Sequence, residues 1–239
     1  MELPLPLVEE RRPQPVHPRL EAFTNDRAAQ ADYVTVLARQ VTPKPAGVGW
    51  NEAGSLFVAG TTAYAAVRAV TAAPGETVVV TPAAGGVGSL TVQLLHHAGV
   101  RVLAVAGKAN HDWIASLGVE PVAYGDGLEE RLSAAAPDGV DAFIDAFGDG
   151  YVELAIRLGV APVRINTVVD FPAAQRYGTR SDGGMSASTA DVLAELAALI
   201  AAGDLTVEIS ATYPLEQVQD AYTELARRHT RGKIVLRLR

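Results

Sequence analysis

The 239-residue sequence contains no cysteine. That absence excludes disulfides, thiolate nucleophiles and every cysteine-containing zinc site. An excess of positive charge is missing too: 20 Lys and Arg stand against 27 Asp and Glu, a formal net charge of −7. A negative chain is repelled by phosphate backbones and anionic headgroups, so neither nucleic acid nor a membrane surface is the expected partner. No long apolar run exists. The apolar start, Met1 to Val8, is broken by Pro4 and Pro6 and followed at once by Glu9 and Glu10. Neither a signal peptide nor a transmembrane helix is expected, and the cytoplasm is the default location. There is no G-x-S-x-G elbow and no evident Ser-His-Asp set. His96 and His97 are adjacent on an expected helix and so point to different sides, while His17, His111 and His229 are scattered. No metal site is expected.

Apolar bulk is what the chain does have: 49% of residues are hydrophobic and 20% charged, enough for a sizeable buried core. Pro4, Pro6, Pro13, Pro15 and Pro18 make residues 1–19 an extended or disordered arm. A short strand is expected at 32–36. Asn51 is a candidate cap for a helix stopped by Gly60, and Thr61 or Thr62 for a second helix ending near Val70. Beyond Pro74-Gly75 the rhythm changes. Thr77-Val78-Val79-Val80-Thr81 is a compact β-branched run, as a strand buried on both faces requires. Helices at 87–98, 110–117, 128–135 and 151–158 then alternate with strands at 101–106, 121–124, 140–147 and 163–169. That alternation predicts βαβ units in a doubly wound parallel sheet, the α/β Rossmann class. Residues 171–188 read as a polar loop. A helix at 190–202, a strand at 207–213, a helix at 215–227 and a strand at 233–238 complete the chain.

The informative feature is the turn between the 77–81 strand and its helix, Ala83-Ala84-Gly85-Gly86-Val87-Gly88. A dinucleotide pyrophosphate needs free amides at a helix N-terminus and a backbone it can approach closely. Gly85 would supply the approach, and Gly88 the tight packing of helix on strand. Ala83 stands where the usual fingerprint has its first glycine, so an ordinary tight βα turn is the competing reading. At the end of the second strand an NAD site wants Asp or Glu for the ribose hydroxyls. The sequence there is Gly107-Lys108-Ala109-Asn110, with no carboxylate. A 2′-phosphate would meet Lys108, with Asn110 as a neutral donor, so NADPH is favoured. Otherwise Lys108 is a solvated loop lysine. Asp141 and Asp145 lie four apart on one strand and share a face. Asp145, near the carboxyl end, is read as solvent-facing or capping ahead of a functional role. Tyr64, Tyr177 and Asp170 are candidate proton donors, and no catalytic residue is selected among them.

The chain resembles the zinc-independent medium-chain dehydrogenase/reductases of the quinone oxidoreductase-like branch. The stretches that carry the likeness are AQADYVTV at 29–36, GTTAYAAV at 60–67, AAGGVG at 83–88, SLGVEPVAYGDG at 116–127, YPLEQVQDAY at 213–222 and RGKIVL at 231–236. The resemblance implies hydride transfer from NADPH to a quinone, enone or similar activated alkene, and a homodimer. It also implies that Thr62 lies near the nicotinamide ribose and Tyr124 beside the 2′-phosphate. Phe147, Gly148, Val168 and Val169 would line the nicotinamide. Thr62 could equally be a helix cap, and Tyr124 and Phe147 strand-end packing. Because the likeness enters near the end of the family's β-rich GroES-like region, the expected organisation is truncated. It consists of the arm, a catalytic-side remnant at 20–70 plus 205–239, and a Rossmann domain at 71–204. A non-redox cyclase or isomerase on the same scaffold, or an NADPH-binding module without turnover, remain the alternatives.

Overall fold

The computed structural model describes residues 41–238. The proline-rich arm and the strand expected at 32–36 lie outside the described residues. Five parallel strands, β1 (Thr77–Thr81), β2 (Arg101–Ala106), β3 (Glu120–Ala123), β4 (Ala142–Asp145) and β5 (Ile165–Thr167), form one sheet in the order β3-β2-β1-β4-β5. Val78, Val79 and Val80 are wholly buried, because β1 is central and covered on both faces. On one side Val78, Val80, Ala104 and Ile144 pack under α1 (Trp50–Val70), α2 (Gly88–His97) and α3 (His111–Ser116). On the other, Val79, Val105, Phe143 and Ile165 pack under α4 (Leu128–Ala135), α5 (Tyr151–Arg157) and α6 (Phe171–Tyr177). The doubly wound α/β sheet expected from the alternation is therefore present.

Residues 50–70 differ from expectation: α1 is one continuous helix of 21 residues, not two. Gly60 does not stop it. A Cβ on Gly60 would come 2.8 Å from Leu56 Cδ1 and 3.0 Å from Leu196 Cδ1, so the glycine admits a neighbouring helix, α8 (Ala190–Ala202). Thr61 and Thr62 are accordingly interior helix residues rather than caps. The loop expected at 171–188 is also partly helical. The Asp170 carboxylate accepts from the Ala173 amide to start α6, and Gly178, at φ +69°, ends it. A short helix, α7 (Gly184–Ala187), follows.

Beside β5 the segment 180–182 makes a single parallel bridge, Asn166 to Arg180. The buried Asn166 amide extends it, donating to Asp182 O at 3.0 Å and accepting from Asp182 N at 2.8 Å. The last strands, β6 (Ile209–Pro214) and β7 (Lys233–Arg237), pair in parallel as a separate sheet, with α9 (Val218–Ala226) between them. Gln93 of α2 ties the chain leading into β6 to the main body, accepting from the Thr206 amide at 2.8 Å and donating to its carbonyl at 3.0 Å.

Candidate functional site

The strand order reverses direction between β1 and β4, and α/β sheets bind ligands in the crevice at the carboxyl end of such a switch. Five of the expected site residues, Ala84, Gly85, Gly86, Val87 and Gly88, stand there between β1 and α2. A Cβ on Gly88 would fall onto the carbonyl oxygen of Pro82, so the sequence expectation that Gly88 permits tight helix–strand packing holds. At Gly85 a Cβ would meet Pro82 only at ordinary distances, 3.6 Å and beyond, so packing does not demand glycine there. No side chain caps α2; the Ser89 and Leu90 amides donate to Gly85 O and Val87 O, and those of Val87 and Gly88 have no hydrogen-bond partner among the described residues, which leaves these two to a ligand.

Over this loop lies a residue that the sequence reading quoted within RGKIVL without singling it out. Gly232 N donates to Ala84 O at 2.9 Å, laying the start of β7 against the loop. Lys233 follows, and a Cβ on Gly86 would come 2.6 Å from Lys233 Cδ and 3.5 Å from Nζ. Among the described residues the Lys233 ammonium has no ion pair, and its burial lowers its pKa. A desolvated, unpaired cation beside an uncapped helix N-terminus is the chemistry of an anion site. The cradle therefore fits a dinucleotide diphosphate.

Lys108 and Asn110 begin and end a turn of 3-10 helix after β2. Lys108 is exposed, and among the described residues it has no ion pair. The Tyr124 ring, just after β3, lies over the adjacent Gly107: a Cβ there would come 3.1 Å from Tyr124 Cε1. Lys108, Asn110 and Tyr124 thus follow the carboxyl ends of the paired strands β2 and β3. Arg231 stacks over Trp113 of α3, 5.2 Å from the ring centre, with its charge paired to Glu208 at 2.9 Å.

Phe147 and Gly148 follow β4, and Val168 and Val169 follow its neighbour β5. A Cβ on Gly148, itself at φ +82°, would touch Val169 Cγ2 at 3.7 Å. Phe147 meets Tyr151 edge-on at 6.0 Å between centroids, and the Arg228 guanidinium lies 5.7 Å from its ring. Thr62 is buried on α1 against the α7 segment: its hydroxyl would lie 3.0 Å from a Cβ on Gly184.

Asp145 ends β4 and is fully buried. The solvent-facing alternative is thereby corrected, while the capping one holds: Oδ1 accepts from the amides of Phe147 and Gly148, both at 2.9 Å. Burial raises its pKa, opposed by those amides and by the Thr167 hydroxyl and helped by the negative Asp170. Asp141, four residues back, is exposed and accepts from the Thr77 amide at 2.8 Å. Of the candidate proton donors, Tyr64 donates to Glu195 at 3.0 Å and Asp170 caps α6. Among the described residues no three His, Asp or Glu gather as a metal site, and no helix is long and apolar enough to cross a membrane.

Residues 117–236 match the family model described as zinc-binding dehydrogenase. A human mitochondrial NAD(P)H oxidoreductase is 26% identical over 238 residues, covering 86% of this chain and 60% of that protein. The chloroplastic NADPH-dependent alkenal/one oxidoreductase of Arabidopsis thaliana is 29% identical over 212 residues, covering 86% of this chain and 52% of the plant protein. Among solved structures, the quinone oxidoreductase from Coxiella burnetii superposes with a TM-score of 0.73 at 29% identity, over 83% of this chain and 64% of that one. The chain thus spans less than two thirds of each of these relatives.

Proposed function

On the premise that the chain belongs to the zinc-binding dehydrogenase family, as a medium-chain dehydrogenase/reductase of the quinone oxidoreductase-like kind, we propose that it is an NADPH-dependent oxidoreductase acting on a quinone, enone or other activated alkene. The observation that carries this reading is the diphosphate cradle: an α2 N-terminus with no side-chain cap under an unpaired, half-buried Lys233. NADPH, when bound, supplies the hydride. Gly85 lets the diphosphate approach the backbone, the α2 amides and Lys233 meet its charge, and Lys108, Asn110 and Tyr124 hold the 2′-phosphate. The lack of a carboxylate at 107–110 supports the phosphorylated cofactor, since a carboxylate there would repel it. Phe147, Gly148, Val168 and Val169 form the nicotinamide wall, and Thr62 contacts the ribose from α1. Residues 71–204 act as the dinucleotide-binding domain, with 20–70 and 205–239 belonging to the catalytic side. The active assembly is a homodimer.

Absorbance-monitored NADPH oxidation on addition of quinones and enones tests the proposal. Acceptor-dependent oxidation is expected. Tight NADPH binding with no oxidation by any acceptor would overturn the reductase reading and leave the cofactor site standing. No binding of either dinucleotide would overturn both.

A further inference from the structure

We propose that Asp145 is the positioning residue for the nicotinamide end of the site, a single buried carboxylate on which both lining loops are hung. The inference deepens the proposed dinucleotide function and rests on it. Thr81, Asp145 and Thr167 stand in register across the carboxyl ends of β1, β4 and β5. All three side chains are sealed from solvent. Asp145 Oδ1 accepts from Phe147 N and Gly148 N, each at 2.9 Å, which fixes the turn after β4. Asp145 Oδ2 accepts from the Thr167 hydroxyl at 2.7 Å. That hydroxyl in turn accepts from Asp170 N at 3.0 Å and Val169 N at 3.4 Å, which fixes the turn after β5. The Asp145 carbonyl closes the set, accepting from Val168 N at 2.9 Å.

Every backbone amide of the expected nicotinamide wall, at 147, 148, 168 and 169, is therefore fastened to Asp145 directly or through Thr167. The carboxylate matches its surroundings because its three partners are all donors, and only an ionised acid offers acceptors on both oxygens. An asparagine would turn an amino group toward the Thr167 hydroxyl and strand that hydroxyl's proton. No cation offsets the buried charge among the described ion pairs. A fold-stabilising group alone could be apolar here at lower cost. What an apolar residue could not do is hold two loops at one relative height.

Calorimetric titration with two probes separates positioning from general stability. NADPH spans the whole crevice, whereas adenosine 2′,5′-bisphosphate reaches the side of Lys108, Asn110 and Tyr124 and, through its 5′-phosphate, the cradle, but carries nothing to meet the nicotinamide wall. Asp145→Asn should weaken NADPH about tenfold, as loss of a charge-assisted hydrogen bond does, with the bisphosphate bound as in the wild type. Thr167→Val, which removes the relay hydroxyl without changing shape, should act in the same direction, and Thr167→Ser should restore binding. Equal loss of both probes in either variant, or unchanged NADPH affinity, would overturn the proposal. Wild-type protein that binds the bisphosphate but not NADPH would overturn it as well. Wild-type protein that binds neither would instead sink the dinucleotide reading from which it starts.

Discussion

Lys108 and Lys233 carry like charge but answer different questions. Lys108 is exposed at the end of β2 and can discriminate only by what sits on the ribose. Lys108→Ala should weaken NADPH about tenfold while changing NADH by less than about twofold, since the charge-assisted contact exists in one complex only. Titration calorimetry with both cofactors checks this, and equal losses would show that Lys108 does not read the 2′-phosphate. Lys233 is half-buried beside Gly86, and its pKa is lowered by desolvation. An anionic ligand favours its charged form, so affinity is full while the free protein's Lys233 is protonated and declines as pH rises through that lowered value. The alkaline decline in NADPH affinity should vanish in Lys233→Ala, together with the proton uptake that accompanies binding above that pH. A decline of the same shape in the variant would assign it to another group.

At the scale of elements, Gly60 sets the distance between α1 and α8, because a Cβ there would press on both Leu56 and Leu196. Gly60→Leu should destabilise the fold by about 1–3 kcal/mol, the usual cost of overpacking a tight contact, read as a lower urea midpoint. An unchanged midpoint would mean that α8 shifts freely. The same glycine marks where the sequence ceases to be legible. The strand at 77–81 could be read locally, since a β-branched run bounded by Pro-Gly and a glycine turn has one outcome. Gly60 followed by Thr61 and Thr62 looks like a stop and a new cap, and nothing nearby in the chain announces Leu196. The helix α6 had readable signals, Asp170 as cap and Gly178 as stop, obscured by the polar and glycine-rich stretch after it. Asp145 shows the same limit: period-two alternation gives its face, but not that β5 and its loop bury it. Burial in turn predicts a stability profile. With its pKa raised in the folded state, Asp145 binds its proton more readily there than in the unfolded chain, so stability falls as pH rises from the ordinary aspartate range through the raised value. Asp145→Asn should flatten that slope in pH-dependent denaturation; an unaltered slope would mean that Asp145 does not set it.

Across the whole molecule, the main sheet ends at β5 with one bridge at Arg180 and the Asn166 amide in place of a full strand. Such an edge offers backbone groups to another chain. The proposed homodimer should appear in analytical ultracentrifugation at twice the chain mass, and a monomer at micromolar concentration would remove it. The phosphate loop has a further property that follows from chain order. It is made early, between β1 and α2, yet Gly232 and Lys233 reach it only at the end of the chain's path through both sheets. During synthesis the glycine turn therefore leaves the ribosome long before its covering lysine does. A nascent chain can wind the main sheet and still hold the glycine turn uncovered, so the proposed diphosphate seat is complete only once translation has run into β7.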